Sequence, residues 1–290
     1  MNRLAIPNLL KSFPGVQTFA ESARGQAFRH RVALHFENRK AFTFTQFLRL
    51  PSQLDALCGP VLEFVRPHDG TPVRIAVIGC SNGAEPYTIA SILLQRRPDI
   101  AFTIDAYDID PDVLRIARAA TYSADEVFAN PFVTPEFVAH TFDQGAAQLA
   151  IKSAIAQRVR FHLADATDAG ASRLIAPADM VFSQNVMCNL QRRQARRFFD
   201  NVAALLKPRS ALFLAGMDLD MREQRTRRQG LVPLAFALER IHDEARLVLG
   251  ERYPWHAAGL EPYSRRKRNL ERRYSTIFLR GCESASKSLD

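Results

Sequence analysis

The segment from residue 79 to residue 87 reads Gly79-Cys80-Ser81-Asn82-Gly83-Ala84-Glu85-Pro86-Tyr87. It lies between the apolar run 73–78 and an amphipathic stretch that starts near Glu85. This order predicts a β-strand, a glycine turn and a helix start, an arrangement that brings backbone amides up to a nucleotide-like ligand. Glu85 would repel a pyrophosphate, whereas it would attract an ammonium or sulfonium group. The segment therefore predicts a cofactor that carries positive charge.

Strands and helices are expected to alternate on either side of this turn. Apolar runs predict the strands, and amphipathic stretches between them predict the helices. Such alternation is typical of a parallel sheet with right-handed crossovers, so we expect an α/β fold of the Rossmann-like type. The predicted strands are 73–78, 102–107, 159–163, 180–183, 211–215 and 274–279, and the predicted helices are 85–96, 111–120 and 192–206, the last ended by Lys207-Pro208.

The pattern also predicts the domain organisation. Residues 1–66 form an N-terminal helical cap, and a linker rich in proline and glycine joins it to a main domain of residues 73–280. Residues 122–158 are too long and irregular for an ordinary crossover and are read as an inserted subdomain. Residues 218–273 form a basic C-terminal extension.

Charge and composition limit the classes of partner. The net charge is +9, and residues 221–280 hold fourteen Lys and Arg against seven Asp and Glu. This surface could bind an acidic partner protein or remain solvated, while nucleic acid is disfavoured because the basic runs lack aromatic residues for base stacking. The widely spaced cysteines do not indicate a metal site. Short apolar runs and an N-terminus without a signal-peptide pattern predict a cytoplasmic protein that does not insert into membranes.

An acidic residue at the end of the second strand is what a ribose site in this architecture requires. Asp108 occupies that place, with Asp105 and Asp110 as competing candidates, and Asp110 is better suited to cap the helix that begins at residue 111. The glycine turn departs from Gly-x-Gly-x-x-Gly and lacks the lysine of a phosphate-binding loop. Nicotinamide and flavin dinucleotides are therefore disfavoured as cofactors.

The glycine segment closely resembles the first motif of the chemoreceptor methyltransferase (CheR) family, which uses S-adenosylmethionine to methylate glutamate side chains of receptors. Asp108-Ile109-Asp110 resembles that family's second-strand motif, and residues 159–165 and 180–190 resemble its later motifs. Residues 43–49 resemble the stretch that folds over the cofactor, so the resemblance spans 43–216. It implies a class I methyltransferase sheet and S-adenosylmethionine as the cofactor.

The resemblance also implies roles for individual residues. Glu85 would bind the amino group of the cofactor's methionine, Asp108 its ribose, and Arg49 its carboxylate or the incoming acceptor. Asp165 and Ala166 would lie against the adenine. The whole implied cofactor-binding set is Thr45, Arg49, Gly79, Ser81, Gly83, Glu85, Asp108, Asp165, Ala166, Asn185 and Val186.

Two departures from the family pattern fall on the acceptor side. Gln184 stands where the family usually has Arg, and Asn189 stands where it has a Tyr near the methyl-acceptor pocket. Asn189, at one of these departures, and Arg49, which the resemblance places near the acceptor, are the candidate catalytic residues. We expect methyl transfer by in-line displacement to a carboxylate or similar nucleophile, on a small molecule or a protein glutamate. The alternatives are a receptor-glutamate methyltransferase proper and a non-catalytic regulator that binds the cofactor.

Overall fold

The structure is a computed structural model that describes residues 45–67, 69–145, 148–249 and 255–282, together with residues 25, 28 and 32. Most of the predicted cap, residues 1–66, lies outside these ranges, as does residue 43. The strands are β1 (Val73–Ile78), β2 (Phe102–Asp108), β3 (Thr121–Tyr122), β4 (Phe142–Gln144), β5 (Leu149–Ile151), β6 (Val159–Leu163), β7 (Ala178–Gln184), β8 (Leu206–Ala215), β9 (Val232–Pro233) and β10 (Ile277–Arg280).

Helices fill most of the connections between these strands. None of the described helices has the length and apolar character that a bilayer span requires. A π-helical turn, Leu57–Val61, joins the first two helices. The helices are α1 (Pro51–Ala56), α2 (Leu62–Val65), α3 (Ala84–Arg96), α4 (Pro111–Ala119), α5 (Ala124–Val127), α6 (Pro135–Thr141), α7 (Ser153–Ala156), α8 (Ala171–Leu174), α9 (Arg192–Ala204), α10 (Leu219–Arg228), α11 (Leu238–Leu249), α12 (Trp255–Ala258) and α13 (Leu270–Tyr274).

The main sheet has seven strands in the order β6-β2-β1-β7-β8-β10-β9. Strands β6, β2, β1, β7 and β8 are parallel, while β10 runs antiparallel to both of its neighbours. The prediction of an α/β Rossmann-like fold is confirmed. The direction of strand order reverses between β1 and β7, which is where such sheets open a crevice at the carboxyl ends of their strands.

Strand β1 is buried on both of its faces. Ile75 and Val77 pack into one apolar cluster, and Ala76 and Ile78 pack into another on the opposite side of the sheet. A strand in this position needs apolar side chains on both faces, so it shows no polar alternation. Burial on both faces explains why the mostly apolar run before Gly79 predicts a strand.

The segment predicted as an insertion contains a second, smaller sheet in the order β3-β5-β4, and its strands are antiparallel. Phe47 of the N-terminal segment packs edge-on against Tyr122 and Phe142 of this sheet. Asn130 Nδ2 donates to the carbonyl oxygen of Phe47 at 2.8 Å. The small sheet and Asn130 therefore hold the chain just before α1.

Two predicted boundaries are wrong. Lys207-Pro208 does not end a helix, because β8 begins at Leu206, which pairs with Ala178 of β7. At the other end of the chain, Tyr274 closes α13, and the last strand begins only at Ile277.

Much of the basic C-terminal extension is paired within the protein. Arg225 contacts Asp200 at 3.2 Å, and Arg273 contacts Asp220 at 2.7 Å and Glu261 at 2.9 Å. Arg222 is buried and donates to the carbonyl oxygen of Ser275 at 3.2 Å. Part of the positive charge therefore stabilises the extension, and binding of an acidic partner stays a prediction.

We expect Asp179→Ala to lower the free energy of unfolding by about 2 kcal/mol, because it leaves two partly buried donors, a backbone N–H and an ammonium group, without their acceptor. Asp179 accepts from the backbone N–H of Arg74 on β1 at 2.8 Å and from Lys207 Nζ on β8 at 2.9 Å. Asp112→Ala is the control, since Asp112 is 82% exposed and should cost less than about 1 kcal/mol. Urea unfolding measures both, and equal losses would contradict the role of Asp179.

Candidate functional site

The glycine turn after β1 passes very close to the turn after β7. A Cβ atom on Gly79 would lie 2.3 Å from Cγ2 of Val186, and Gly79 has a φ of 80°. A side chain at this position would meet both a clash and backbone strain. The backbone N–H groups of Gly79 and Cys80 donate to the carbonyl oxygen of Tyr107 at 2.8 and 3.0 Å, which bends the turn over the end of β2.

This bend places the turn against Asp108. Asp108 Oδ2 accepts from the backbone N–H of Ser81 at 2.8 Å, and its Oδ1 accepts from the backbone N–H of Asp110 at 3.0 Å. Burial raises the pKa of Asp108 above its ordinary value, against the opposing effect of these hydrogen bonds. The carboxylate is thus fixed at the rim between β1 and β2, with a defined orientation.

The two competing aspartates have other partners. Asp110 caps α4 by accepting from the backbone N–H of Asp112 at 2.9 Å, so its predicted capping role is confirmed. Asp105 contacts Arg160 Nε at 3.0 Å and His162 Nε2 at 2.9 Å. Asp108 and Asp110 both line the cleft beside the glycine turn, and Asp108 is the last residue of β2.

Glu85 and Arg49 form a buried ion pair at the start of α3. Arg49 Nη2 lies 3.6 Å from Glu85 Oε1, and the two side chains are 7% and 13% exposed. Burial raises the pKa of Glu85 to about 7, although the charge of Arg49 opposes that shift. Thr88 on α3 accepts from the backbone N–H of Leu48 at 3.2 Å, which holds the segment before Arg49 against the same helix.

The opposite wall is the turn after β7. Asn185 has a φ of 56°, and its two side-chain polar atoms are buried without hydrogen-bond partners among the described residues. A Cβ atom on Gly216 would lie 2.5 Å from Cα of Asn185, so the turn can approach β8 this closely only because residue 216 is glycine. Asn189 Nδ2 donates to the carbonyl oxygen of Asn185 at 2.8 Å.

These walls enclose two neighbouring clefts. The first has an empty volume of about 720 Å³ and the second about 330 Å³, and Gln184 lines both of them. The predicted residues on the first cleft are Gly79, Ser81, Asp108, Asp165, Ala166, Asn185, Val186 and Asn189. The second cleft contains Arg49 and Glu85.

Two predicted residues lie elsewhere. Thr45 lines a separate hollow with Asn82, beside the inserted subdomain. Gly83 is the N-cap of α3, and a Cβ atom there would lie 3.1 Å from the hydroxyl of Tyr122, under the glycine turn. Neither residue lines one of the two clefts.

Sequence reasoning missed several residues of the second cleft. Gln53 is the most informative, because Gln184 Nε2 donates to its Oε1 at 2.6 Å. Gln46 and Thr88 also line this cleft. No local pattern marks Gln53, because Arg49 precedes α1 and helical spacing does not relate the two residues.

The arrangement fits S-adenosylmethionine. A carboxylate held at the end of β2 suits the two hydroxyls of a ribose, and the ion pair offers opposite charges to an ammonium and a carboxylate. The buried carboxamide of Asn185 supplies both a donor and an acceptor on the facing wall. These groups line the two neighbouring clefts, as a ligand that carries a ribose, an ammonium and a carboxylate requires.

Comparison with known proteins agrees with this geometry. Residues 43–231, more than half of the chain, match the family described as CheR methyltransferase, SAM binding domain. A probable biofilm formation methyltransferase WspC from Pseudomonas aeruginosa is 27% identical over 70% of this chain and 48% of its own length. Chemotaxis protein methyltransferase 2 from Vibrio cholerae is 30% identical over 59% of this chain and 60% of its own length.

The chain spans about half the length of the first of these relatives. Among solved structures, an O-methyltransferase family protein from Burkholderia thailandensis is 17% identical with a TM-score of 0.42, over 79% of this chain and 60% of that one. The match over residues 43–231 covers the glycine turn, Asp108 and the turn after β7. The chain therefore belongs to the CheR methyltransferase family and carries that family's S-adenosylmethionine-binding domain.

Proposed function

We propose that this protein transfers a methyl group from S-adenosylmethionine to a carboxylate. The observation that carries the proposal is the buried pair of Glu85 and Arg49 beside the cleft that contains Asp108. Burying two opposite charges is costly unless each has a partner. When a methionyl group binds, its ammonium can pair with Glu85 and its carboxylate with Arg49, so each buried charge keeps a partner. Few other cofactors carry a ribose together with both of these charges.

We assign each residue a role that its position supports. Glu85 receives the ammonium group, and Arg49 grips the carboxylate of the methionyl part or of the acceptor. Asp108 accepts hydrogen bonds from the ribose hydroxyls, and the amide of Ser81 keeps its carboxylate in place. Asn185 lies beside the methionyl part.

The remaining predicted residues shape the walls. Asp165 and Ala166, after β6, border the adenine, and Asp165 Oδ1 accepts from the backbone N–H and the hydroxyl of Thr167 at 2.8 and 2.7 Å. The side chain of Val186 packs against Gly79. Thr45 lies in a neighbouring hollow, so the support for its role is the family resemblance.

The bound cofactor supplies a methyl group on a sulfonium sulfur, which an incoming carboxylate displaces in line. The task of the protein is to align the two partners and exclude water from them. A carboxylate acceptor is already ionised at neutral pH, so the chain needs only to orient it. Gln184 lines both clefts, Arg49 lines the second and Asn189 the first, and these are the groups to which we assign this orientation.

Two acceptor classes fit this site. A protein carboxylate is supported by the names of the relatives, which include chemotaxis protein methyltransferases. A small carboxylic acid is supported by the second cleft, where a neutral pair, Gln53 and Gln184, borders about 330 Å³ of empty volume.

We also propose a division of the chain into regions. Residues 1–66 form the cap over the site, residues 122–158 the inserted subdomain and residues 218–273 the basic C-terminal extension.

Binding of S-adenosylhomocysteine tests the cofactor assignment. We expect wild type to bind it in isothermal titration, and Glu85→Gln and Asp108→Asn each to weaken binding at least about tenfold, because each removes a charged contact. Glu136→Gln is the matched control, since Glu136 is exposed on the inserted subdomain. The assignment fails if wild type does not bind or if both site variants bind normally.

The pH dependence of this binding tests Glu85 separately. Its pKa is about 7 without ligand, so the carboxylate is mostly protonated at pH 6 and mostly ionised at pH 8. An ammonium group prefers the ionised form, so affinity should rise about tenfold over this range, and binding at pH 6 should release about one proton. Titrations in buffers of different ionisation enthalpy measure the proton. In Glu85→Gln both effects should disappear, and a pH-independent affinity in wild type would contradict the role of Glu85.

Methyl-labelled cofactor identifies the acceptor class. Incubation with receptor fragments or cell extract should transfer label, and alkali should release it as methanol because methyl esters are base-labile. Base-labile label on protein supports a protein carboxylate, and base-labile label in the low-mass fraction supports a small acid. Base-stable label would reject a carboxylate acceptor. Cofactor binding without transfer would indicate a non-catalytic regulator.

A further inference from the structure

Three helices near the C-terminus, α11, α12 and α13, lie between β9 and β10 and outside the matched residues 43–231. We call them the C-terminal helices. Ala245 and Leu249 of α11 and Ala258 of α12 share an apolar cluster with Leu50 and Cys188. Leu50 directly follows Arg49, and Cys188 directly precedes Asn189. The C-terminal helices thus pack behind residues on both sides of the site.

A polar contact joins these helices to the N-terminal segment. Glu244 is buried on α11, where its Oε1 accepts from the hydroxyl of Ser52 at 2.6 Å and its Oε2 accepts from the backbone N–H of Ser52 at 3.1 Å. Ser52 is the second residue of α1, and 192 positions separate the two partners in the chain. Arg240, which is 69% exposed, lies 3.4 Å from the same carboxylate.

This contact replaces a local helix cap. The N-cap residue of α1 is Leu50, whose side chain cannot accept a hydrogen bond, and the next residue is Pro51, which has no N–H. The first free amide of the helix therefore belongs to Ser52, and Glu244 satisfies it with a full negative charge at the positive end of the helix. The cap of α1 is tertiary.

Arg49 lies in the short stretch between two fixed points. On one side, the N–H of Leu48, which has a left-handed φ of 50°, donates to Thr88. On the other side, three residues after Arg49, Ser52 is hydrogen-bonded to Glu244. Gln53, the next residue, contacts Gln184. Without the Glu244 contact, the start of α1 would be free to fray, and Arg49 would lose an anchor on its C-terminal side.

We propose that Glu244 is a positioning residue for Arg49, so that the C-terminal helices take part in cofactor binding without contacting the cofactor. The inference rests on the proposed function, in which Arg49 holds a carboxylate at the site. Burial of a carboxylate is unfavourable unless its oxygens are bonded, and here both oxygens are bonded to one residue close to the site. The extension thus replaces a cap that the sequence of α1 lacks.

A double-mutant cycle tests this inference with the full chain. We expect Glu244→Ala to weaken binding of S-adenosylhomocysteine about five- to tenfold in isothermal titration, because Arg49 is no longer held in place. In an Arg49→Ala background the same change should cost less than about twofold, since there is no longer a side chain to position. Asp243→Asn, an exposed carboxylate next to Glu244, is the matched control and should bind like wild type.

Two further variants separate positioning from folding. Ser52→Ala removes the hydroxyl that donates to Glu244, so it provides the same test if Glu244→Ala folds poorly. Its loss of affinity should likewise depend on the presence of Arg49. Glu244→Gln keeps the volume and one acceptor, so it should recover much of the lost affinity. Equal losses with and without Arg49, or no loss in Glu244→Ala, would overturn the inference. Absence of binding in wild type would instead overturn the proposed function, on which the inference depends.

Discussion

The site depends on the close approach of two backbone turns behind Gly79. Because residue 79 has no side chain, the turn after β1 can lie against Val186 and still curl over the end of β2. That curl brings the amide of Ser81 to Asp108. A bulkier residue would separate the carboxyl ends of β1 and β7, where the strand order reverses and the cleft opens. The wall with Asp108 and the wall with Val186 are therefore both positioned by one steric constraint.

The charges of the site are arranged for a ligand with two opposite charges. Desolvation disfavours ionised Glu85, and Arg49 offsets only part of that cost. A pair in this balance gains from an ammonium and a carboxylate, each of which meets an opposite charge in a region with little water. On the facing wall, Asn185 and Gln184 present buried polar atoms without partners in the described part of the chain, so a polar ligand satisfies groups that are otherwise costly to bury.

Much of the chain outside the central sheet serves to hold the segment that carries Arg49. Asn130 of the insertion bonds the carbonyl oxygen of Phe47, Thr88 bonds the amide of Leu48, and Glu244 bonds Ser52. These three contacts come from the inserted region, the glycine-turn helix and the C-terminal helices. The positive charge of the extension has a structural use as well, since Arg273 joins Asp220 and Glu261.

The sheet and the cofactor class were readable from local sequence. Apart from Arg74, Val73 to Ile78 is apolar because the strand is buried on both faces, and Glu85 lies in the first turn of the helix that follows the glycine turn. Helix α9 and strand β8 meet without the predicted break at Lys207-Pro208, because pairing of Leu206 with Ala178 outweighs the local signal. Boundaries of this kind follow from strand register, which a single segment does not contain.

Local sequence also marked Asp108 as the acid at the end of β2, but it left Asp105 as an alternative. The tertiary structure separates them, since Asp105 bonds Arg160 and His162, whereas Asp108 lies at the cleft. The contacts of Gln53 with Gln184 and of Glu244 with Ser52 join residues more than 130 positions apart. No motif or period marks such partners, because their proximity arises only when segments far apart in the chain fold onto the carboxyl edge of the sheet. The sequence therefore identified the methyl donor through short-range patterns, while the partners that hold Arg49 and border the second cleft were decided by long-range packing.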